Sequence, residues 1–395
     1  MDGLQQGDNS LIMPNILYIG DPFSIHEIKW MSFFSTQPDY KVFIAAQDID
    51  VEKMTQADHD RLTQYNITLI PGLRFYSARR PWDNWHSAKV IRKAIKQHRI
   101  DLVHGLFFTP YCVNTLYTNL PTVITSRGSD VLTVLPELRN KTGIQGWHDK
   151  HLFRVFKKVV RRANAITCTS KKQQQSLLNL FGNSTETNLI RTGVDVETIS
   201  KTDSIQSPVK KMDGRKMVLF PRYISPIYNT MFQVEALKLL PQKIKDQCQF
   251  VFISGRYLNP DYFEKVKAEM SEINVVHQFL NHMTQQEIWA LYNQADLTVM
   301  TPISDGTPNS ALEAMAARSM LILGNLDYDK DIFNSDSCLK MTSNNHAELA
   351  EIIENCITHP NTEILESAYQ TVLKKGDRAV EMGKLQTIYE QLLSK

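Results

Sequence analysis

The segment Ser304-Asp-Gly-Thr-Pro-Asn-Ser-Ala-Leu-Glu313-Ala-Met-Ala carries the residue types best suited to holding a phosphorylated ligand. Thr307 is a good N-cap and Pro308 suits the first helical position, so a helix is expected to begin there. Gly306 lets the backbone approach a ligand closely. Free N–H groups at such a helix start, with the positive end of its dipole, make an anion site suited to phosphate. Glu313 lies eight residues beyond Asp305, about a turn and a half into the helix. There its carboxylate could accept hydrogen bonds from vicinal hydroxyls such as those of a ribose. Local chemistry also allows a plainer account, a solvent-facing glutamate on an ordinary capped helix.

Other chemistries find less support. The first apolar run is not followed by G-x-G-x-x-G, and the chain has neither a Walker lysine motif nor a G-x-S-x-G elbow. Asp48-Ile-Asp50 has the spacing of a metal pair, but it follows the second expected strand, where a solvated loop is the simpler account. No metal is expected. Cys112, Cys168, Cys248, Cys338 and Cys356 are scattered, odd in number and free of C-x-x-C, which speaks against a disulfide framework or a zinc site.

The elements that must position these residues follow from the apolar pattern. The chain has 395 residues, 42% hydrophobic and 22% charged, enough for packed cores and for two domains. Short apolar runs read as buried parallel strands: 15–19, 41–46, 67–70, 102–103, 122–125 and 165–168. Helical patterns such as 88–98 lie between them. A second series of strands follows at 217–220, 249–254, 275–277, 297–300 and 320–323. Helices at 231–240, 261–270, 285–293 and 310–317 alternate with it. The expected class is therefore α/β, with two successive doubly wound units. The boundaries read as residues 1–199, a linker at 200–216 rich in Ser, Lys and Asp, a second unit at 217–377, and a closing helix at 378–395. In such sheets ligands bind beyond the carboxyl ends of the strands, and two facing domains would form a cleft.

With these elements in place, the segment from Asp305 to Glu313 resembles the nucleotide-sugar motif of family-4 retaining glycosyltransferases, two acids separated by seven residues. Three more segments agree in order: Asp21-Pro-Phe-Ser-Ile-His26-Glu-Ile-Lys-Trp30, Arg127-Gly-Ser-Asp130 and Thr192-Gly-Val-Asp195. The resemblance implies the GT-B fold, two facing Rossmann-like domains with a final helix crossing back to the first. It implies donor contacts at Arg222, Tyr228, Asp305, Gly306, Thr307, Pro308, Asn309 and Glu313, with Glu313 on the ribose. Arg222 would neutralise the diphosphate, a task its bidentate fork suits. Tyr228 stands where the family carries Lys. The resemblance also implies an acceptor side at Ser24, His26, Arg127 and Asp130. The catalytic group would comprise His104, Asp305 and Arg222, although Leu106 replaces the second His of the family's His-x-His.

The implied reaction moves a sugar, with retention, from a nucleoside-diphosphate sugar to a saccharide, lipid-linked or other hydroxyl acceptor. UDP is expected ahead of GDP, with no other cofactor and no nucleic-acid partner. A degenerate nucleotide-sugar-binding protein and a GT-B epimerase or phosphorylase are the alternatives. The polar, acidic start at Met1–Ser10 is unlike a secretory signal, so a cytoplasmic protein is expected. The first 200 residues carry a net +6 and the remainder −4. Much of that excess lies in Lys150–Lys172, which has eight basic residues and no acid. It reads first as a helix packed by Leu152, Phe153, Phe156, Val159 and Val160, with a solvated basic face. Its second reading is peripheral contact with anionic lipid at the inner face of the membrane, or with an acidic acceptor.

Overall fold

The computed structural model describes residues 14–394, apart from 109, 183–186, 202–206, 256–258 and 282, and apart from the side chains of Ile25, Ile144 and Gln145. Met1–Ser10 and part of the expected linker thus lie outside the described residues. The chain divides into two compact units, the first running to Thr192 and resuming at Met382, the second spanning Gly193–Glu381.

The first unit is built on seven parallel strands: β1 (Asn15–Ile19), β2 (Lys41–Gln47), β3 (Ile67–Leu73), β4 (Leu102–Leu106), β5 (Thr122–Ser126), β6 (Ala165–Cys168) and β7 (Thr187–Leu189). Their order is β3-β2-β1-β4-β5-β6-β7, so the winding reverses between β1 and β4. The helices between them are α1 (Ile25–Ser35), α2 (Asp48–Val51), α3 (Gln56–Gln64), α4 (Pro81–His98), α5 (Leu135–Asn140), α6 (Gly143–Arg162) and α7 (Lys171–Phe181). β1 and β4 are buried on both faces, as expected of parallel strands covered by helices on either side. The α6 stripe packs as its pattern demands, with Val155, Phe156 and Val159 buried among Ile124, Ile166 and Leu177. Asp48-Ile-Asp50 opens the short helix α2 instead of forming a solvated loop.

The second unit adds α8 (Val196–Ser200), β8 (Lys216–Phe220), α9 (Thr230–Leu239), α10 (Gln242–Lys245), β9 (Cys248–Ile253), α11 (Pro260–Ser271) and β10 (Val276–Leu280). It continues with α12 (Gln285–Gln294), β11 (Leu297–Met300), α13 (Asn309–Ala316), β12 (Met320–Leu323), β13 (Leu339–Lys340), α14 (His346–Thr358) and α15 (Thr362–Lys375). All its strand pairs are parallel, in the order β10-β9-β8-β11-β12-β13, and the winding reverses between β8 and β11. Both sheets are Rossmann-like. Among the described residues no helix is long and apolar enough to cross a membrane.

The chain leaves the first unit at Thr192, ahead of the stretch 200–216 in which the sequence pattern places a linker. The reason is apolar: Val194, Val196, Ile199 and Val209 are buried in the second core with Met217 and Leu219. Gly193 holds φ at 68°, and a Cβ there would lie 2.7 Å from the Cα of Arg378. Only glycine lets these strands of chain run together, where Val194 donates to Gly376 O at 2.9 Å and Arg378 donates to Val194 O at 2.9 Å. The final helix α16 (Arg378–Leu393) then returns to the first unit, burying Met382, Leu385 and Tyr389 with Ile16, Tyr18 and Phe34.

Candidate active site

Each sheet gathers its polar residues where its winding reverses, the position at which open α/β sheets bind ligands. In the second unit Arg222 follows β8 and Asp305 follows β11. Arg222 Nη1 donates to Ser310 Oγ at 2.9 Å and lies 3.3 Å from Asp305 Oδ2. Its Cζ sits 4.1 Å from the centre of the Tyr228 ring. Tyr228 therefore meets Arg222 as a stacking partner, which fixes the plane of the guanidinium without adding a charge. Gly306 N donates to Asp305 Oδ1 at 2.9 Å, closing the turn ahead of α13.

The helix begins at Asn309, one residue before the expected range 310–317 but one residue later than a Thr307 cap would start it. Pro308, with ψ at 124°, takes the N-cap position, and no side chain caps α13. Thr307 thus does not serve as the cap. Its Oγ1 is buried without a hydrogen-bond partner, as is the Tyr328 hydroxyl. Asp305 Oδ2 is buried too, with the Arg222 charge beside it but no hydrogen bond. Burial, followed by the charge of Asp305, pushes the Tyr328 phenol well above its ordinary range. Buried polar atoms without hydrogen bonds cost folding energy unless a ligand meets them, and here they cluster around an uncapped helix start. Asn309 opens the helix itself.

Glu313 is 7% exposed, which rules out the solvent-facing account. Its Oε1 accepts from Gln285 Nε2 at 3.0 Å and from Trp289 Nε1 at 3.3 Å, both donors lying on α12. Neighbouring helix side chains thus hold this carboxylate at a fixed angle.

The first unit has a pocket of about 370 Å³ at its own reversal point. Asp21 and Ser24 follow β1, Leu106 and Phe107 close β4, Arg127 follows β5, and Glu27 and Tyr111 complete the wall. Ser24 caps α1 by accepting from Glu27 N at 3.3 Å. Arg127 Nη1 lies 3.5 Å from Glu27 Oε1, and Asp21 N donates to Glu27 Oε2 at 2.7 Å. A Cβ on Gly20 would fall 2.0 Å from that same oxygen, so the carboxylate occupies space only glycine leaves. Burial pushes the Glu27 carboxyl up to about 8, the Arg127 charge and the Asp21 N–H offsetting only part of the effect. Phe107 holds φ at 74°, a strained conformation for an aromatic residue, directly on the pocket wall.

Three residues expected at this site stand elsewhere. His104 lies within β4, fully buried, with Nδ1 2.5 Å from the Tyr389 hydroxyl and Nε2 2.6 Å from Thr125 Oγ1. Burial lowers its pKa to about 3, and both nitrogens serve the core, so neither is offered to a substrate. Asp130 is fully buried and accepts from the N–H groups of Phe108, Gly128 and Val131, shaping the loop that presents Arg127. His26 is exposed on the first turn of α1 and is not part of the pocket wall. Conversely, Asp21, Glu27, Phe107 and Tyr111 line the pocket although none is among the residues expected there. Asp21 and Glu27 lie in a segment that carries the family resemblance, and the signal available for Glu27 is its place in the capped first turn after Ser24.

Comparison with known proteins agrees with both halves. Residues 41–198 match the family model described as Glycosyltransferase Family 4, and residues 201–370 match that described as Glycosyl transferases group 1. The chain belongs to the family-4 glycosyltransferases of the GT-B fold. This glycosyltransferase is 24% identical over 362 residues to the putative teichuronic acid biosynthesis glycosyltransferase TuaC of Bacillus subtilis (strain 168), covering 86% of this chain and 85% of that one. Its fold is similar to that of a Rickettsia africae ESF-5 glycosyltransferase (TM-score 0.75, 17% identity, 96% and 98% of the two chains). It is similar also to Anabaena Alr3699/HepE, solved in complex with UDP (TM-score 0.72, 16% identity, 95% and 99% of the two chains).

Proposed function

We propose that this glycosyltransferase moves a sugar from a UDP-sugar to a hydroxyl acceptor, with retention of configuration, in the synthesis of a cell-surface polysaccharide. The observation that carries the reading is Arg222, fixed by Ser310, Asp305 and the Tyr228 ring beside an uncapped helix start. A guanidinium and a helix dipole together offset the charge of a diphosphate, the task a metal ion performs elsewhere, so the proposed reaction needs no metal. Thr307 and the N–H groups of Asn309 and Ser310 would meet phosphate oxygens. Asp305 would hold the sugar hydroxyls and keep Arg222 in place, and Glu313 would hold the ribose. The acceptor would sit in the pocket at Ser24 and Arg127, its hydroxyls donating to Asp21 and Glu27.

Catalysis in this reading is electrostatic. Charge grows on the departing diphosphate as the bond to the anomeric carbon breaks, and Arg222 with the α13 start stabilises that charge. The acceptor oxygen forms its bond on the face the phosphate leaves, and a phosphate oxygen takes the acceptor proton. His104 has no role in this scheme beyond the core. Two relatives support the choice of substrates: HepE is solved in complex with UDP, and TuaC is named for teichuronic acid biosynthesis. The same reading puts the protein in the cytoplasm, with the basic stretch 150–172 against the inner face of the membrane.

Calorimetry with UDP tests the donor site. Glu313→Ala is expected to abolish measurable UDP binding while circular dichroism stays unchanged; normal affinity would sink the assignment. Proton NMR of the product from a UDP-sugar then reads the stereochemistry, and an inverted anomeric centre would overturn retention. Nucleotide binding without donor consumption would favour a binding-only protein.

A further inference from the structure

The outward faces of α4 and α6 repeat one arrangement. On α4 the exposed positions include Trp82, Trp85, Lys89, Arg92, Lys93 and Lys96, with Pro81 and Gln97 at the ends. On α6 they include Trp147, Lys150, Arg154, Lys157, Lys158 and Arg161, with the same spacing, and Gly143 and Arg162 at the ends. At 3.6 residues per turn either set forms a stripe about 100° wide, with tryptophan at its N-terminal end and cations along the rest. The one acid in each helix, Asp83 or Asp149, is buried and paired with a cation, so neither stripe exposes negative charge.

The two stripes belong to one side of the sheet. α4 packs Ile91 and Ala94 with Ile19, and α6 packs Val155 and Val159 with Ile124. Ile19, Gly105 and Ile124 are neighbours in register, so Ile19 and Ile124 point to the same face. Both helices also pack against the short turn Cys112–Tyr117. An aromatic chain links α6 to the loop that leads into α4. The Tyr76 hydroxyl is 3.1 Å from His151 Nε2, and the His151 ring stacks 6.4 Å from Trp147. Next to it the exposed Phe75 lies 5.9 Å from Tyr111, a wall of the pocket.

We propose that the paired stripes of α4 and α6 form a docking surface for an anionic lipid bilayer, seating the pocket mouth beside Tyr111 at the lipid–water boundary. The inference rests on the membrane contact proposed for residues 150–172 and extends it to a second helix and three tryptophans. Trp82, Trp85 and Trp147 are 59%, 66% and 69% exposed, an unusual outlay of indole surface on one face. Indole has an apolar body and one N–H donor, and it settles at the headgroup level of a bilayer. Rows of Lys and Arg beside it match a surface of anionic headgroups. An acceptor carried on a lipid would then reach the pocket without leaving the membrane.

The test is co-sedimentation of the full chain with phosphatidylcholine vesicles, with and without about 30% phosphatidylglycerol, near physiological salt. Binding is expected only to the anionic vesicles, with a blue shift of tryptophan emission. Trp82→Ala/Trp85→Ala/Trp147→Ala and, separately, Lys89→Gln/Arg92→Gln/Lys93→Gln should each weaken binding about tenfold or more. Circular dichroism and the thermal transition of the first unit, which holds all these positions, should be unchanged in both variants, which shows that the fold survives. Loss of binding only on replacing Lys150, Arg154 and Lys157 would leave the single-helix contact standing and overturn the paired surface. Absence of vesicle binding, or displacement of the vesicles by a single-stranded oligonucleotide, would overturn the bilayer as its partner.

Discussion

Arg222→Lys separates charge from shape at the level of one residue. The ammonium keeps the charge but loses the fork that reaches Ser310 and the plane that stacks on Tyr228. Losing one charge-assisted hydrogen bond costs about 1.5–3 kcal/mol, so UDP should bind roughly 10- to 150-fold more weakly while uridine affinity stays the same. Equal loss for uridine and UDP, measured by calorimetry, would place Arg222 away from the diphosphate. Glu27 gives a second test at this scale, read in stability. Its carboxyl is raised from the ordinary 4.5 to about 8 by burial, so the native state holds a proton that the unfolded chain has already released. Stability should therefore be full below pH 4.5 and decline as pH rises toward 8, by at most about 1.4 kcal/mol per unit. Glu27→Gln keeps the shape and removes the titrating proton, so urea midpoints across that window should flatten relative to the native chain. An unchanged slope would assign the titration to another group.

Leu385 tests how far α16 sustains the first unit. Its side chain is fully buried with Ile16, Tyr18 and Phe34, so Leu385→Ala should cost about 2–5 kcal/mol in urea unfolding. UDP affinity should not move, because Arg222, Asp305 and Glu313 all belong to the second unit; a loss under about 1 kcal/mol would mean that the helix adds little. This is also the scale at which the sequence was most informative. Strands buried on both faces announce themselves as apolar runs, and the stripe from Met382 to Leu392 gave α16 its bounds. In the second unit the apolar pattern marked the strand ends and the helix start that carry Arg222, Asp305 and Glu313, but their grouping as a donor site came from the family resemblance. The first-unit pocket was less so. Which side chain faces a pocket depends on packing across β1, β4 and β5, and local sequence does not carry that information. His104 looked like a strand-end ligand, yet Tyr389, 285 residues away, claims its Nδ1. Asp130 looked like a substrate contact, yet the N–H groups of Arg127, Gly128 and Val131 in its own loop, with that of Phe108 after β4, saturate it. Thr307 looked like a cap, but the extended ψ of Pro308 moves that position one residue along.

At the scale of the whole molecule, the proposed donor residues and the return helix belong to different units, and this makes the two separable by calorimetry. Arg222, Asp305, Thr307 and Glu313 lie within Gly193–Glu381, whereas the chain from Met382 onward packs with the first unit's core. A ligand that binds one native unit raises the stability of that unit by RT ln(1 + [L]/Kd), about 2.7 kcal/mol at a hundredfold excess over Kd. Thermal unfolding is therefore expected to show two transitions, of which UDP raises one by several degrees. Leu385→Ala provides the assignment, because it should lower the other transition and leave the UDP-sensitive one in place. The two perturbations together make four measurements: each transition with and without UDP, in the native chain and in the variant. If UDP raised the transition that Leu385→Ala lowers, the nucleotide would have to rest on the first unit. The pocket of Asp21, Glu27 and Arg127 would then be the donor site, and the roles proposed for Arg222 and Glu313 would fall with it.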